Sequence, residues 1–204
     1  MKYIAFIHTS TVHIKRFTEL LNALSERVKS EHFVNKEMLD IALQTGIPPV
    51  DMFLAEIDKI KKNNFDSIIC TCSTFGTLCE KFGIQRIDAP VAEYMVKKYT
   101  NIAVVYTANS TFRPSALLLD TLAKKHGKTI NIIPVNCSQF WSFFESGDMK
   151  GYYSNIVKKI KEIDVKPEAI FLAQASMEGV KGYLGDTKAE VLTSPEIGIR
   201  KLVG

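Results

Sequence analysis

Residues 4–11 read I-A-F-I-H-T-S-T and residues 102–109 read I-A-V-V-Y-T-A-N, two apolar runs that break into small polar residues, with Thr9 over Thr107. The stretches that follow match as well: Leu20 and Leu21 fall on Leu118 and Leu119, and Leu24 falls on Leu122. Further along, residues 67–75, S-I-I-C-T-C-S-T-F, align with residues 169–177, A-I-F-L-A-Q-A-S-M. Cys72 then meets Gln174, Ser73 meets Ala175, and Thr74 meets Ser176. A third pair, I-D-A-P-V-A-E-Y-M-V-K-K-Y at 87–99 and V-L-T-S-P-E-I-G-I-R-K-L-V at 191–203, closes each half. Three matched segments in one order indicate an internal repeat.

Within the first copy, strands and helices alternate. The run at 2–8 reads as a strand. Ile14, Phe17, Leu20, Leu21, Leu24 and Val28 form a helical stripe at 3/4 spacing, and residues 32–35 read as a second strand. A helix around 37–44 is closed by Gly46 and the prolines at 48–49. Pro49 can open the next helix, whose face carries Phe53, Leu54, Ile57 and Ile60. A strand at 67–72 and a short helix ending near Gly83 follow. Strands alternating with helices imply right-handed βαβ units and parallel sheets. The expected fold is therefore α/β, with two pseudo-symmetric lobes related by duplication, each a parallel sheet with flanking helices. The expected division places 1–99 and about 190–204 in the first lobe and 100–189 in the second, as one unit with a cleft between them.

Ligands in such folds bind beyond the carboxyl ends of the strands. The residues leaving those ends are Thr9 and Ser10, Cys72 to Thr74, Thr107 to Asn109, Asn136 to Ser138, and Gln174 to Ser176. Nearly all are small and carry a hydroxyl, thiol or amide.

Composition removes several function classes. A chain of 204 residues, 46% hydrophobic and 24% charged, has the balance of a soluble globular protein with a proper core. The net charge of +4 is mild and lies in runs such as K-K-I-K without interleaved aromatics, so no nucleic-acid partner is expected. No apolar run approaches the ~18 residues of a membrane span, and Y-I-A-F-I is too short for a signal sequence. Cys70, Cys72, Cys79 and Cys137 have neither zinc spacing nor a secreted disulfide pattern. A reducing cytoplasm and no metal are the expectation. Phosphate-binding glycine motifs, H-E-x-x-H and G-x-S-x-G are absent. What remains is a thiol at a strand-to-helix turn.

That turn, C-S-T at 72–74, resembles the C-[N/S]-T motif of the aspartate/glutamate racemase superfamily. A-Q-A-S-M at 173–177 sits where the hydantoin-racemase branch carries G-C-A-G-M. The duplicated lobes and A-V-V-Y-T-A-N-S-T after mid-chain fit as well, so the resemblance spans the whole chain. It implies cofactor-independent chemistry at the carbon beside a carboxylate or carbonyl. In the racemases, one cysteine removes the proton and a second delivers one on the opposite face; relatives with altered pairs decarboxylate arylmalonates or isomerise maleate. Cys72 becomes the implied acid/base, with Thr9, Ser10, Ser73, Thr74, Thr107, Ala175 and Ser176 around a small carboxylate or carbonyl substrate. Relatives that pair through their lobes make a homo-oligomer an expectation.

Gln174 departs from the pattern: an amide has no usable proton-transfer pKa. Three readings stay open. Cys72 works alone on one face, as in a decarboxylase or lyase; a substitute second acid/base exists, with His8, Cys137 or Glu178 as candidates; or the fold binds a small carboxylate without chemistry. A helix starting after Cys72 is expected to lower the thiol pKa. Duller roles are also expected: core packing for Cys70 and Cys79, a helix-surface place for His13, and packing for the aromatic run around Trp141, with one ring roofing the cleft as the sharper option.

Overall fold

A computed structural model describes residues 1–203, with side chains to residue 201. The first half runs β1 (Lys2–His8), α1 (Val12–Leu24), β2 (Val28–Val34), α2 (Lys36–Thr45), α3 (Val50–Lys61), β3 (Ser67–Cys70), α4 (Gly76–Phe82), β4 (Gln85–Arg86) and α5 (Ala89–Lys98). The second half repeats that order as β5 (Asn101–Tyr106), α6 (Asn109–Lys125), β6 (Asn131–Asn136), α7 (Trp141–Glu145), α8 (Met149–Lys161), β7 (Ala169–Leu172), α9 (Val180–Tyr183), β8 (Glu190–Thr193) and α10 (Ser194–Val203). Each half forms a four-stranded, wholly parallel sheet, ordered β2-β1-β3-β4 and β6-β5-β7-β8. The register repeats too: Ile7 lies opposite Cys70, and their counterparts Val105 and Leu172 lie opposite each other. The α/β fold of two duplicated lobes is thus observed.

The central strands are buried on both faces, which is why Ile4 to Ile7 and Ile102 to Val105 are unbroken apolar runs rather than alternating ones. Phe6, Phe17, Ile4 and Ile69 fill one face of the first sheet, and Phe53, Phe75, Ile57 and Ile60 pack against the other. Each such fully buried side chain contributes roughly 1.5–3 kcal/mol of transfer free energy.

Several boundaries differ from the sequence reading. Helix α1 ends at Leu24 because Ser25 turns to extended backbone at φ −165°, and Val28 starts β2 instead of extending the helical stripe. A β-branched residue suits that strand start. Strand β3 stops at Cys70, and the Thr71 N–H closes its ladder on the Ile7 carbonyl at 3.0 Å. The lobe division is corrected at two places. Residues 190–193 pair with β7 in the second sheet, and the face of α5 formed by Val91, Ala92, Met95 and Val96 lies in the core with Val104, Leu119 and Phe171. Ile199 of α10 packs in turn against Ile4, Phe6 and Phe17. Each half therefore ends in a helix that packs on the other half's core. Periodicity shows that a face is apolar but not which core it fills. No helix among the described residues is long and apolar enough to cross a membrane.

Candidate active site

The carboxyl ends of both sheets converge on one cavity. Thr9, Ser10, His13 and Thr71 to Thr74 line it from the first half, and Ala108, Thr111, Trp141, Phe144 and Gln174 to Ser176 from the second. Thr9, Ser10, Cys72, Ser73, Thr74, Gln174, Ala175 and Ser176, all singled out from sequence, therefore come together. Thr107, His8, Cys137 and Glu178 do not line it.

Cys72 heads the turn in extended backbone (φ −101°, ψ 111°), and residues Ser73–Phe75 form one 3₁₀ turn before α4 begins. The residue keeps some solvent exposure, but protein atoms crowd its sulfur. Burial pushes the thiol up to about 12, helped by the neighbouring Cys70. The hydroxyls of Thr9 and Thr74 and the Thr74 N–H pull the other way without winning. The expected lowering by a helix dipole is overturned. Desolvation of a thiolate outweighs the field of a single short 3₁₀ turn, so the resting group is the protonated thiol.

Gln174 holds the equivalent place (φ −129°, ψ 140°) ahead of the 3₁₀ turn Ala175–Met177. Its Oε1 accepts from the Thr107 N–H at 2.6 Å, the Ala108 N–H at 3.0 Å and the Thr107 hydroxyl at 3.2 Å. Two backbone donors require the oxygen there, which settles the amide's orientation. The side chain holds the two backbone N–H groups just before α6 and so occupies donors that could otherwise hold an anion. The Tyr152 hydroxyl, buried behind it, joins Thr107 Oγ1 at 2.7 Å to Ser176 Oγ at 3.1 Å.

The two turns are latched across the cleft. Ser73 Oγ donates to the Ala173 carbonyl at 2.7 Å, and Thr74 Oγ1 meets Ser110 Oγ at 3.0 Å and Thr111 Oγ1 at 3.2 Å. Behind the Cys72 turn, Arg86 grips Asp88 with two bonds of 2.8 Å and reaches Glu80 at 2.7 Å. A Cβ on residue 76 would lie 2.3 Å from the Arg86 guanidinium carbon, so only glycine lets this ion pair sit beneath the turn.

The candidate substitute acid/bases are placed elsewhere. His8 is fully buried in a relay: the Thr71 hydroxyl donates to the Ile7 carbonyl at 3.1 Å and so accepts from His8 Nδ1 at 2.8 Å. His8 Nε2 then accepts from His32 Nδ1 at 2.8 Å. Burial, then the neighbouring His32 and His13, hold the His8 pKa at about 3. Cys137 is buried in the second core, where desolvation raises it to about 12. Glu178 is paired with Arg16 at 2.7 Å. His13, expected on a helix surface, instead lines the cavity and stacks near Phe144. Trp141 and Phe144 supply aromatic wall, and the buried Trp141 Nε1–H has no partner among the described residues.

Among solved structures, an aspartate racemase from Picrophilus torridus superposes with a TM-score of 0.73, over 100% of this chain and 94% of its own, at 17% identity. The fold is that of the aspartate, glutamate and allantoin racemases. A glutamate racemase from Thermus thermophilus, solved with β-chloro-D-alanine, gives a TM-score of 0.72 at 15% identity, covering 98% of this chain and 78% of that one. An allantoin racemase from Pseudomonas fluorescens gives 0.56 at 14% identity, covering 98% and 88%. No family model and no curated protein sequence matches. On this racemase fold, the cavity between the lobes lies at the ends of both sheets, where open parallel sheets hold ligands.

Proposed function

We propose that the chain is a cofactor-independent enzyme of the racemase or isomerase kind, moving a proton at the carbon next to a carboxylate or carbonyl, with Cys72 as a proton-transfer group. One observation carries this reading: a thiol opens into the interlobe cavity with the hydroxyls of Thr9 and Thr74 and the Thr74 N–H directed at its sulfur. Those donors stabilise the thiolate whenever Cys72 gives up its proton, and a thiol of raised pKa regains it readily. The substrate carboxylate is held by donors at the Ser10, Thr74 and Ser176 edges of the cavity. As the C–H bond breaks, its electron pair moves into that group as an enediolate, and donors already in position stabilise the growing charge. The superposition on amino-acid and allantoin racemases supports a small carboxylate or its cyclic amide as substrate.

The test is proton NMR in deuterated buffer with aspartate, glutamate, substituted hydantoins, arylmalonates and maleate, wild type beside Cys72→Ser. The expected result is loss of a substrate C–H signal, or a new product, with wild type, and loss of that exchange for at least one enantiomer, or of the product, in Cys72→Ser. Equal activity in both proteins, or none from wild type across the panel, sinks the proposal.

A further inference from the structure

Gln174 leaves the second side of the cavity without a titratable group of its own, yet a histidine arrives there from the other half. Arg16 holds Glu178 with two hydrogen bonds, of 2.8 and 2.7 Å, and so pins the first turn of α1 against the turn that follows Gln174. His13 lies one helical turn before Arg16 and lines the cavity together with Gln174, Ala175 and Ser176. Glu178 is also the charge that acts on its ring. The repeat explains this placement. The alignment that sets Thr9 on Thr107 sets His13 on Thr111, and Thr111 hydrogen-bonds Thr74, two residues past Cys72, at 3.2 Å. The same relation brings His13 to the cavity that Ser176, two residues past Gln174, also lines.

The ring is otherwise uncommitted. No described residue hydrogen-bonds its nitrogens, and its aromatic neighbours are His8 at 6.4 Å and Phe144 at 6.5 Å between ring centroids. We propose that His13 is a second proton-transfer residue, serving the face of the reacting carbon opposite Cys72. This inference rests on the enzymatic reading above and restores the two-sided chemistry that Gln174 cannot perform. Burial keeps the imidazole neutral, at a pKa of about 4, so its lone pair is free at neutral pH. In one direction an imidazole nitrogen takes the proton, the C–H electron pair enters the carboxylate as an enediolate, and the Cys72 S–H bond breaks to protonate the opposite face. The imidazolium and thiolate left behind return to their neutral forms by exchange with water.

The experiment incubates both enantiomers of aspartate, glutamate and a monosubstituted hydantoin in deuterated buffer with wild type, His13→Ala, His13→Gln and Cys72→Ser, following deuterium uptake and configuration separately. Wild type is expected to invert one of these compounds with deuterium incorporated. Both His13 variants, folded by circular dichroism, lose at least about 100-fold of the inversion rate but still exchange one enantiomer with retention. Cys72→Ser exchanges the other enantiomer only, and added imidazole restores inversion to His13→Ala. Inversion by the His13 variants within about threefold of wild type overturns the assignment. Exchange by wild type without inversion removes His13 and leaves Cys72 standing. No exchange by wild type on any compound removes both.

Discussion

The turn after β3 and the turn after β7 share backbone shape and position but not chemistry. Cys72 and Gln174 each sit in extended backbone at the head of a 3₁₀ turn, and each faces the threonine that follows the first strand of its own half. In the second half the donors are spent on an amide oxygen of the chain itself. In the first half the Thr9 hydroxyl, with the Thr74 hydroxyl and N–H, faces a sulfur instead. The threonine hydroxyl after the first strand is thus common to both halves, and the other donors differ. The side chain at the head of each turn decides whether its donors meet a thiol or close on an amide oxygen of the chain itself.

Making the halves alike breaks the comparison most directly. Cys72→Gln copies the second turn onto the first and is expected to cost at least about 100-fold in the inversion rate, read by NMR in deuterated buffer, with the fold unchanged by circular dichroism.

The next asymmetry is His8, whose repeat counterpart is Tyr106. Its folded pKa of about 3 lies below the ordinary 6.5. Above pH 6.5 it is neutral in both states and adds no pH dependence. As pH falls below 6.5, the unfolded chain binds a proton that the folded chain refuses, so stability drops until about pH 3. The slope from one such group reaches about 1.4 kcal/mol per pH unit, and His13 and His32 act in the same direction. Urea midpoints between pH 7 and pH 4 should fall for wild type and fall less for His8→Asn.

Removing the brace sharpens the comparison from the other side. Gln174→Ala leaves the Thr107 and Ala108 N–H groups without their acceptor and is expected to cost about 1–3 kcal/mol in urea denaturation. Gln174→Glu, which keeps an oxygen at that place, should recover much of it. The smallest effect concerns the latch. Ser73 reaches the Ala173 carbonyl, whereas its counterpart Ala175 has no hydroxyl to return the bond. Ser73→Ala should lower stability by about 1 kcal/mol, within reach of the same denaturation curves.

Much of the molecule was legible beforehand. The matched runs at 4–11 and 102–109 correspond to β1 and β5 at the centres of two sheets with one order and one register. The small polar residues that follow β1, β3 and β7 meet in one cavity, whereas Thr107 and the residues after β6 do not line it. His13 was missed because an isolated helix start reads as solvent-facing. The signal that finds it is the repeat, which sets it on Thr111, but its use requires knowing that Thr111 touches Thr74. The placement of α5 and β8 with the second core was equally out of reach, since an apolar face does not name its partner, whereas α10 packs on the first core as the division expected.

The sequence by itself determined the order of strands and helices, their duplication, and which polar side chains leave the strand ends. These follow from local periodicity and chain reversal, which neighbouring residues control. The tertiary structure alone settled that both turns open on one cavity, that Gln174 is bonded to Thr107 and Ala108, that His13 lines the same cavity as Ser176, and that Cys72 rests as a thiol. Each of those depends on desolvation and on partners brought from distant parts of the chain, and neither quantity is a property of a residue and its immediate neighbours.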